Sequence, residues 1–260
     1  MKAVLALLIV AGCASEVSSS GNSPSEQCPK EDKKLTVLVE GNIGAGKTTF
    51  LKFMQEISSD VTALREPVVK WQNISGTNAM EIIYEDPKRW SMTFQSYVQL
   101  TLLQHHMEPQ TSPVKMMERS IFSAHYCFVR NFHNTGKMTD MEFEILDQWF
   151  QWLKDSQKLD VDLIIYLRVS PSTCLERLKK RSKTEAAGMP PGYLESLDEL
   201  HEDWLIKRKF VHPDAPVLVI DANKDLKELQ LEMKETIPNT LSKLAGSSGF
   251  HQDCTNQVEG

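Results

Sequence analysis

Leu35-Thr36-Val37-Leu38-Val39-Glu40-Gly41-Asn42-Ile43-Gly44-Ala45-Gly46-Lys47-Thr48-Thr49 is the stretch that decides the fold. Its first five residues are apolar or β-branched, the composition of a short buried strand. From Gly41 to Thr48 the chain fits the pattern G-x-x-x-x-G-K-[ST] in full. Phe50, Phe53, Met54 and Ile57 then recur at i, i+3, i+4 and i+7, the buried face of a helix. Strand, glycine loop and helix in that order make a phosphate-binding loop of the segment, where a ligand-free glycine turn would need no such context. Backbone N–H groups from Gly41 through Asn42, Ile43, Gly44, Ala45 and Gly46 to Thr49 can curl around phosphate oxygens, helped by the helix N-terminus. Lys47 can reach the β- and γ-phosphates of ATP, and the Thr48 hydroxyl can ligate Mg²⁺.

Charged residues downstream extend the pattern. Glu66 stands where the apolar stretch Ala63-Leu64 gives way to Pro67; a carboxylate ending a central strand would face the phosphate loop, and an exposed acid before a turn fits the sequence equally well. Val114 to Met117 reads as another strand, closed by the adjacent charges Glu118 and Arg119 and followed by a helix pattern at Ile121, Ala124 and Phe128. Glu118 could hold Mg²⁺, and Arg119 could neutralise a transferring phosphoryl group; a solvated pair at a strand end is the plain alternative. From Glu176 to Lys183 five cations fall within eight residues, with Arg177 and Arg181 one helical turn apart. Such a face could close over phosphates as a lid, although a charge run is also the ordinary dress of a solvated helix. Val161–Leu167 and Val217–Ile220 read as further buried strands. Strands alternating with helical patterns give an α/β fold: a parallel sheet flanked by helices, of the P-loop NTPase type, with a basic lid.

The rest of the chain sets bounds. With 29 basic and 35 acidic residues the net charge is −6, which argues against a nucleic-acid polymer as partner. The five cysteines lie far apart without a Cys-x-x-Cys pair, so neither a disulfide framework nor a zinc site is expected. His105 and His106 are neighbours about 100° apart on a helix and do not converge as ligands; partly exposed packing suits them better. The sequence contains no D-x-x-G element, and Asn223-Lys224-Asp225 lacks the spacer of N-K-x-D, which leaves a GTPase switch unsupported. Residues 1–34 read as an apolar leader and flexible linker. Ala3 to Ala11 has the shape of a secretory signal, with a lipoprotein-like box ending at Cys13, but is too short for a membrane span. Residues 245–260 read as a polar tail, leaving 35–244 as one domain.

Taken together these landmarks resemble the deoxyribonucleoside kinase family. The resemblance runs from about Thr36 to Ile220 through Glu40-Gly41-Asn42, Glu66-Pro67-Val68, Lys70-Trp71, Phe94-Gln95-Ser96-Tyr97-Val98, Glu118-Arg119-Ser120-Ile121, Asp162 to Arg168 and Leu200-His201-Glu202-Asp203-Trp204-Leu205. The nearest branch is that of the mitochondrial thymidine kinases and insect multisubstrate deoxyribonucleoside kinases. The resemblance implies that Glu66 accepts the 5′-hydroxyl proton, that Arg119 with Lys47 stabilises the transferring phosphate, and that Glu118 helps organise Mg²⁺. It implies that Gln95 reads the base near Trp71, Phe94 and Phe128, and that Tyr84 meets the sugar 3′-hydroxyl. Arg177, Lys179, Arg181 and Lys183 match the lid, and a homodimer is the family's usual form.

Gln95, Val98 and Leu102 share one helix face, which puts the base reader beside its pocket wall. In the family's deoxycytidine/deoxyguanosine branch charged residues occupy the positions of Leu102 and Ala124; here both are apolar, so thymidine and deoxycytidine are the expected substrates, with purines weaker. One departure stands out: the family carries a carboxylate pair in its lid, whereas here Glu185 is followed by Ala186, which shifts 3′-hydroxyl recognition toward Tyr84. A thymidylate kinase is the competing enzyme reading, but Glu66 would repel an acceptor phosphate. A binding module without catalysis is the other alternative, and intact Lys47, Thr48, Glu66 and Arg119 speak against it. An ATP-using kinase belongs in an ATP-rich interior, so mitochondrion or cytosol is expected, with secretion formally open.

Overall fold

The computed structural model describes residues 33–210 and 213–246, with the backbone alone at Thr184 and Glu185. The leader, nearly all of the linker and all but the first residues of the tail therefore lie outside the described residues, as does the Glu185 side chain. Five strands, β1 (Leu35–Glu40), β2 (Val61–Leu64), β3 (Val114–Glu118), β4 (Leu163–Arg168) and β5 (Val217–Asp221), form one sheet in the order β2-β3-β1-β4-β5. Every pairing is parallel. The helices are α1 (Lys47–Ile57), α2 (Val68–Trp71), α3 (Ala79–Glu85), α4 (Pro87–Met107), α5 (Ile121–Ser123), α6 (Arg130–Asn134), α7 (Asp140–Ser156), α8 (Pro171–Arg181), α9 (Lys183–Gly188), α10 (Tyr193–Leu205) and α11 (Leu226–Ala245). A π-helical stretch, Ala124–Val129, joins α5 to α6.

Both faces of the sheet are covered, which is why its strands read as continuous apolar runs. Val37, Val39, Met116, Leu163, Ile165 and Leu167 point to one side, where α1 and α11 supply Phe50, Met54, Met233 and Ile237. Leu38, Met117, Ile164 and Tyr166 point to the other, against Leu102, Phe150 and Trp204. Alternation of side chains along each strand thus sorts one run of residues into two cores. Caps fix where the helices begin: Asp86 accepts from Arg89 N with Pro87 in the first turn of α4, and Thr139 with Glu142 forms a capping box on α7.

Three sequence expectations change. β4 begins at Leu163, two residues later than read, because Asp162 instead brackets β1, taking the Thr36 N–H on its carboxylate at 2.8 Å. β5 is an edge strand, with Val219 42% exposed, where a buried strand was expected. β2 is the opposite edge, so Glu66 follows an edge strand and not a central one. The loops after β1 and β3, the two strands on either side of the reversal in strand order, meet at the carboxyl end of the sheet.

Two glycines in the phosphate loop differ in what surrounds them. Gly44 has φ +84, and a Cβ there would sit 2.7 Å from the Cys174 carbonyl oxygen. Gly46 has φ +99 with open space around it. Gly46→Ala should therefore cost about 1–2 kcal/mol for the left-handed backbone alone, and Gly44→Ala clearly more, since backbone must move. Urea denaturation without nucleotide measures both; equal losses would show that the close approach of α8 to the loop does not matter.

Candidate active site

The phosphate loop is drawn tight by its own residues. Lys47 is 5% exposed, and its Nζ donates to the carbonyls of Gly41 at 3.0 Å and Asn42 at 2.9 Å. Asn42 accepts the Ile43 N–H and donates to Leu194 O, which ties the loop to α10. At the start of α1, Thr48 Oγ1 donates to both Glu118 oxygens at 2.9 and 3.0 Å. The two residues singled out as metal ligands, seventy positions apart, are therefore in contact. Thr49 is exposed and Ala45 buried.

Beside them lies a second contact. Arg119 is 3% exposed, and its Nε is 3.0 Å from Glu66 Oε1. The guanidinium also rests 4.5 Å over the Phe128 ring; Nη1 has no acceptor among the described residues, and the Nε–Glu66 contact is an ion pair without hydrogen-bond alignment. Arg119 has φ +64, a left-handed conformation unusual for a residue with a side chain. The Glu118–Arg119 pair is thus buried, and the solvated pair that a strand end could equally have carried is not what forms.

Electrostatics follow from crowding charges away from water. Burial raises the Glu66 carboxyl above its ordinary value, and the Arg119 and Lys47 charges pull it back. Burial lowers the Lys47 ammonium to about 8, with Arg119 in the same direction and Glu118, Glu66 and Glu40 opposing. Glu40, wholly buried at the end of β1, is raised to about 7 by burial against the Ser120 hydrogen bond and Arg119.

The residues expected to hold a nucleoside are also brought together. Trp71, Val98, Leu102 and Ala124 are buried in one cluster, with Phe94 and Phe128 packed against it. Trp71 donates to Thr101 Oγ1 at 2.9 Å and meets Phe94 edge to face at 5.9 Å. Gln95 is 2% exposed, and its Oε1 has no partner among the described residues. Such a group is unsatisfied until something else supplies a donor. Tyr84, at the end of α3, is 45% exposed. Tyr193, which the sequence reading missed, joins this group: burial first, then the Tyr84 phenol and the Glu66 carboxylate, raises its phenol, with Arg119 opposing. Gly192 in a left-handed turn just before α10 was its one sequence signal.

The basic run divides. Arg177 is committed to the fold, donating to Ala45 O at 3.3 Å and Ala222 O at 2.7 Å. Lys179 and Lys183 are exposed, as is Arg181. Ala186, on the short helix α9, packs against the core under the phosphate loop. His106 is 5% exposed, not partly exposed as read, because its ring nitrogen lies 3.2 Å from Asp160 O. Cys127 and Cys174 are buried free thiols.

A cavity of about 1050 Å³ opens at the amino-terminal edge of the sheet, lined by Lys33, Lys115 and Asp162 among others. It is the wrong end for a phosphate site, and Lys33 there is already paired with Asp162 at 2.7 Å. Among the described residues no helix is long and apolar enough to cross a membrane.

A phosphate loop with its lysine buried against the loop carbonyls and a carboxylate–arginine pair beside it defines the class as a P-loop phosphotransferase. Residues 37–244 match the family model described as deoxynucleoside kinase. The chain is 46% identical over 212 residues to mitochondrial thymidine kinase 2 of Homo sapiens, covering 82% of this chain and 79% of that protein. It is 34% identical over 251 residues to the deoxycytidine kinase of Mus musculus, covering 85% of this chain and 96% of that one. The chain belongs to the deoxynucleoside kinase family. It is a phosphotransferase that makes deoxynucleoside 5′-monophosphates from ATP and deoxyribonucleosides in nucleotide salvage.

The buried acids bear on stability. Because the folded Glu40 value of about 7 lies above the ordinary 4.5, the folded chain holds that proton more tightly than the unfolded one. Its contribution is present at low pH and is lost as pH rises through about 7. Glu40→Gln, which cannot ionise, should lose less stability than the wild type between about pH 5 and about pH 8 in urea denaturation. Parallel losses in the two proteins would contradict the assignment.

Proposed function

We propose that Glu66 is the general base, accepting the 5′-hydroxyl proton as that oxygen bonds to the γ-phosphorus of ATP and ADP departs. The observation that carries this reading is the 3.0 Å contact between Arg119 and Glu66, which joins a proton acceptor to a phosphate-neutralising cation at the mouth of the phosphate loop. A carboxylate raised by burial takes up a proton more readily than an ordinary one. Arg119 and Lys47 spread charge from the transferring group, and Lys179, Arg181 and Lys183 close over it from the lid. Thr48 and Glu118 suit a magnesium ion, since the Thr48 hydroxyl lies 2.9 and 3.0 Å from the two Glu118 carboxylate oxygens and all three are hard ligands. Thr48 and Glu118 would hold such an ion, which would supply charge neutralisation for the ATP phosphates. The cavity of about 290 Å³ beside Ala45, Arg177 and Asp225 is the room for the base of ATP.

On the acceptor side, Gln95 reads the base between Trp71, Phe94 and Phe128, while Tyr84 meets the 3′-hydroxyl. An amide offers one donor and one acceptor, which suits thymine and, reversed, cytosine. Apolar Leu102 and Ala124 leave room for the thymine methyl and offer purines no ion. Thymidine and deoxycytidine should exceed the purine deoxynucleosides in kcat/KM by about tenfold or more.

The homodimer has a natural face. Met141, Ile145, Trp149 and Trp152 line the outer side of α7, each between 47% and 70% exposed, and Leu100 and Met107 do the same on α4. Trp149 and Trp152 stack at 5.6 Å, and a stripe of that size on a soluble enzyme calls for a partner. A second copy covers it most simply. The mitochondrial naming of the human relative supports the mitochondrial reading, while the cytosolic one rests on the need for ATP.

ADP release across the four deoxynucleosides and thymidylate tests the reaction. Glu66→Gln should lower thymidine turnover by about 10²–10⁴-fold, and activity with thymidylate alone would overturn the proposal. The double variant Trp149→Glu/Trp152→Glu should elute as a monomer in light scattering; an unchanged mass would place the interface elsewhere.

A further inference from the structure

None of the roles above uses Glu40, yet it is buried at 0% exposure against the phosphate site. Its Oε1 accepts the Ser120 hydroxyl at 2.6 Å, and its Oε2 has no partner among the described residues. Ser120 begins α5, where its hydroxyl accepts the Ser123 N–H at 3.3 Å and the Ser123 hydroxyl accepts the Ser120 N–H at 3.2 Å. Between Ser120 and the rest of β3 stands Arg119 with φ +64, a conformation that persists only where its surroundings enforce it. The Arg119 N–H donates to Val39 O at 3.1 Å. The last two residues of β1 therefore grip both sides of Arg119: Val39 takes its amide, and Glu40 takes the hydroxyl of the next residue.

From this geometry we propose that Glu40 is a positioning residue for phosphoryl transfer, holding through Ser120 the left-handed backbone that aims Arg119 at Glu66 and the phosphate loop. The proposal rests on the role given to Arg119 above. A carboxyl at this depth opposes folding unless something is gained from it, and an apolar residue would fill the space without that penalty. What Glu40 supplies is an acceptor oriented by its own strand. The acceptor survives protonation, because a neutral carboxyl still offers a carbonyl oxygen to Ser120. Glutamine keeps it too, whereas alanine does not.

Steady-state kinetics of the full chain with thymidine and ATP test the proposal. Glu40→Ala and Ser120→Ala should each lower kcat by about 10–10²-fold with KM for both substrates unchanged, as expected for a displaced but intact arginine. The double variant should be no worse than the worse single one, since both break one link. Glu40→Gln should retain most of the wild-type kcat. Arg119→Ala should lose more, and adding Glu40→Ala to it should change little further. Full kcat in folded Glu40→Ala, or a loss that multiplies with Arg119→Ala, overturns the positioning role and leaves that of Arg119 standing. Full kcat in Arg119→Ala overturns both. If Glu40→Ala does not fold, Ser120→Ala decides by the same criterion, an unaltered kcat counting against the proposal.

Discussion

Three carboxylates and two cations share the buried carboxyl end of β1, β2 and β3: Glu40, Glu66 and Glu118 against Lys47 and Arg119. Glu40, Glu118, Lys47 and Arg119 are buried and Glu66 is partly so, which sets unlike charges against one another with little water between them. Lys47 and Arg119 restrain the rise that burial imposes on Glu66, and Glu118, Glu66 and Glu40 restrain the fall that it imposes on Lys47. Much of the remaining architecture keeps that group together. The parallel register aligns Val39 with Glu118, Asn42 pins the loop to α10, and the capped turn at Ser120 holds Arg119.

This arrangement also explains why the site suits an alcohol acceptor. A phosphate brought to Glu66 would meet a carboxylate with its arginine already engaged at 3.0 Å. In the role proposed for Glu66, a hydroxyl would meet a carboxylate that burial makes more basic. At the same end of the sheet, Trp71, Leu102 and Ala124 belong to one buried apolar cluster, and the buried Gln95 amide has no partner for its oxygen among the described residues.

Much of this was legible in the sequence because the chemistry is local there. The phosphate loop is contiguous, and the Gln95-Val98-Leu102 stripe obeys a helical period that the buried face of α4 reproduces. Glu66, Glu118 and Arg119 were singled out by type and position at strand ends. What stayed hidden depends on long-range pairing. Strand order put β2 and β5 at the edges, which no run of apolar residues announces, and placed Glu66 beyond an edge strand. Glu40 read as part of a motif because nothing in its neighbourhood of sequence says that Ser120, eighty residues on, would be its partner. Tyr193 was missed for the same reason, since its site neighbours Tyr84, Glu66 and Arg119 come from three other segments. The basic run was read as one lid, but Arg177 turned inward to carbonyls that only the fold supplies.

The central claim is that a carboxylate made more basic by burial activates the acceptor hydroxyl, and the pH dependence of kcat/KM for thymidine tests it most directly, because that parameter reports the free enzyme. Glu66 must be ionised to accept a proton, so activity should fall on the acid side with a midpoint above the ordinary carboxyl value of 4.5. Removing the Arg119 charge should move that midpoint higher still, since Arg119 opposes the rise. An acid limb at the ordinary value, or one that Arg119→Ala leaves in place, would contradict the account.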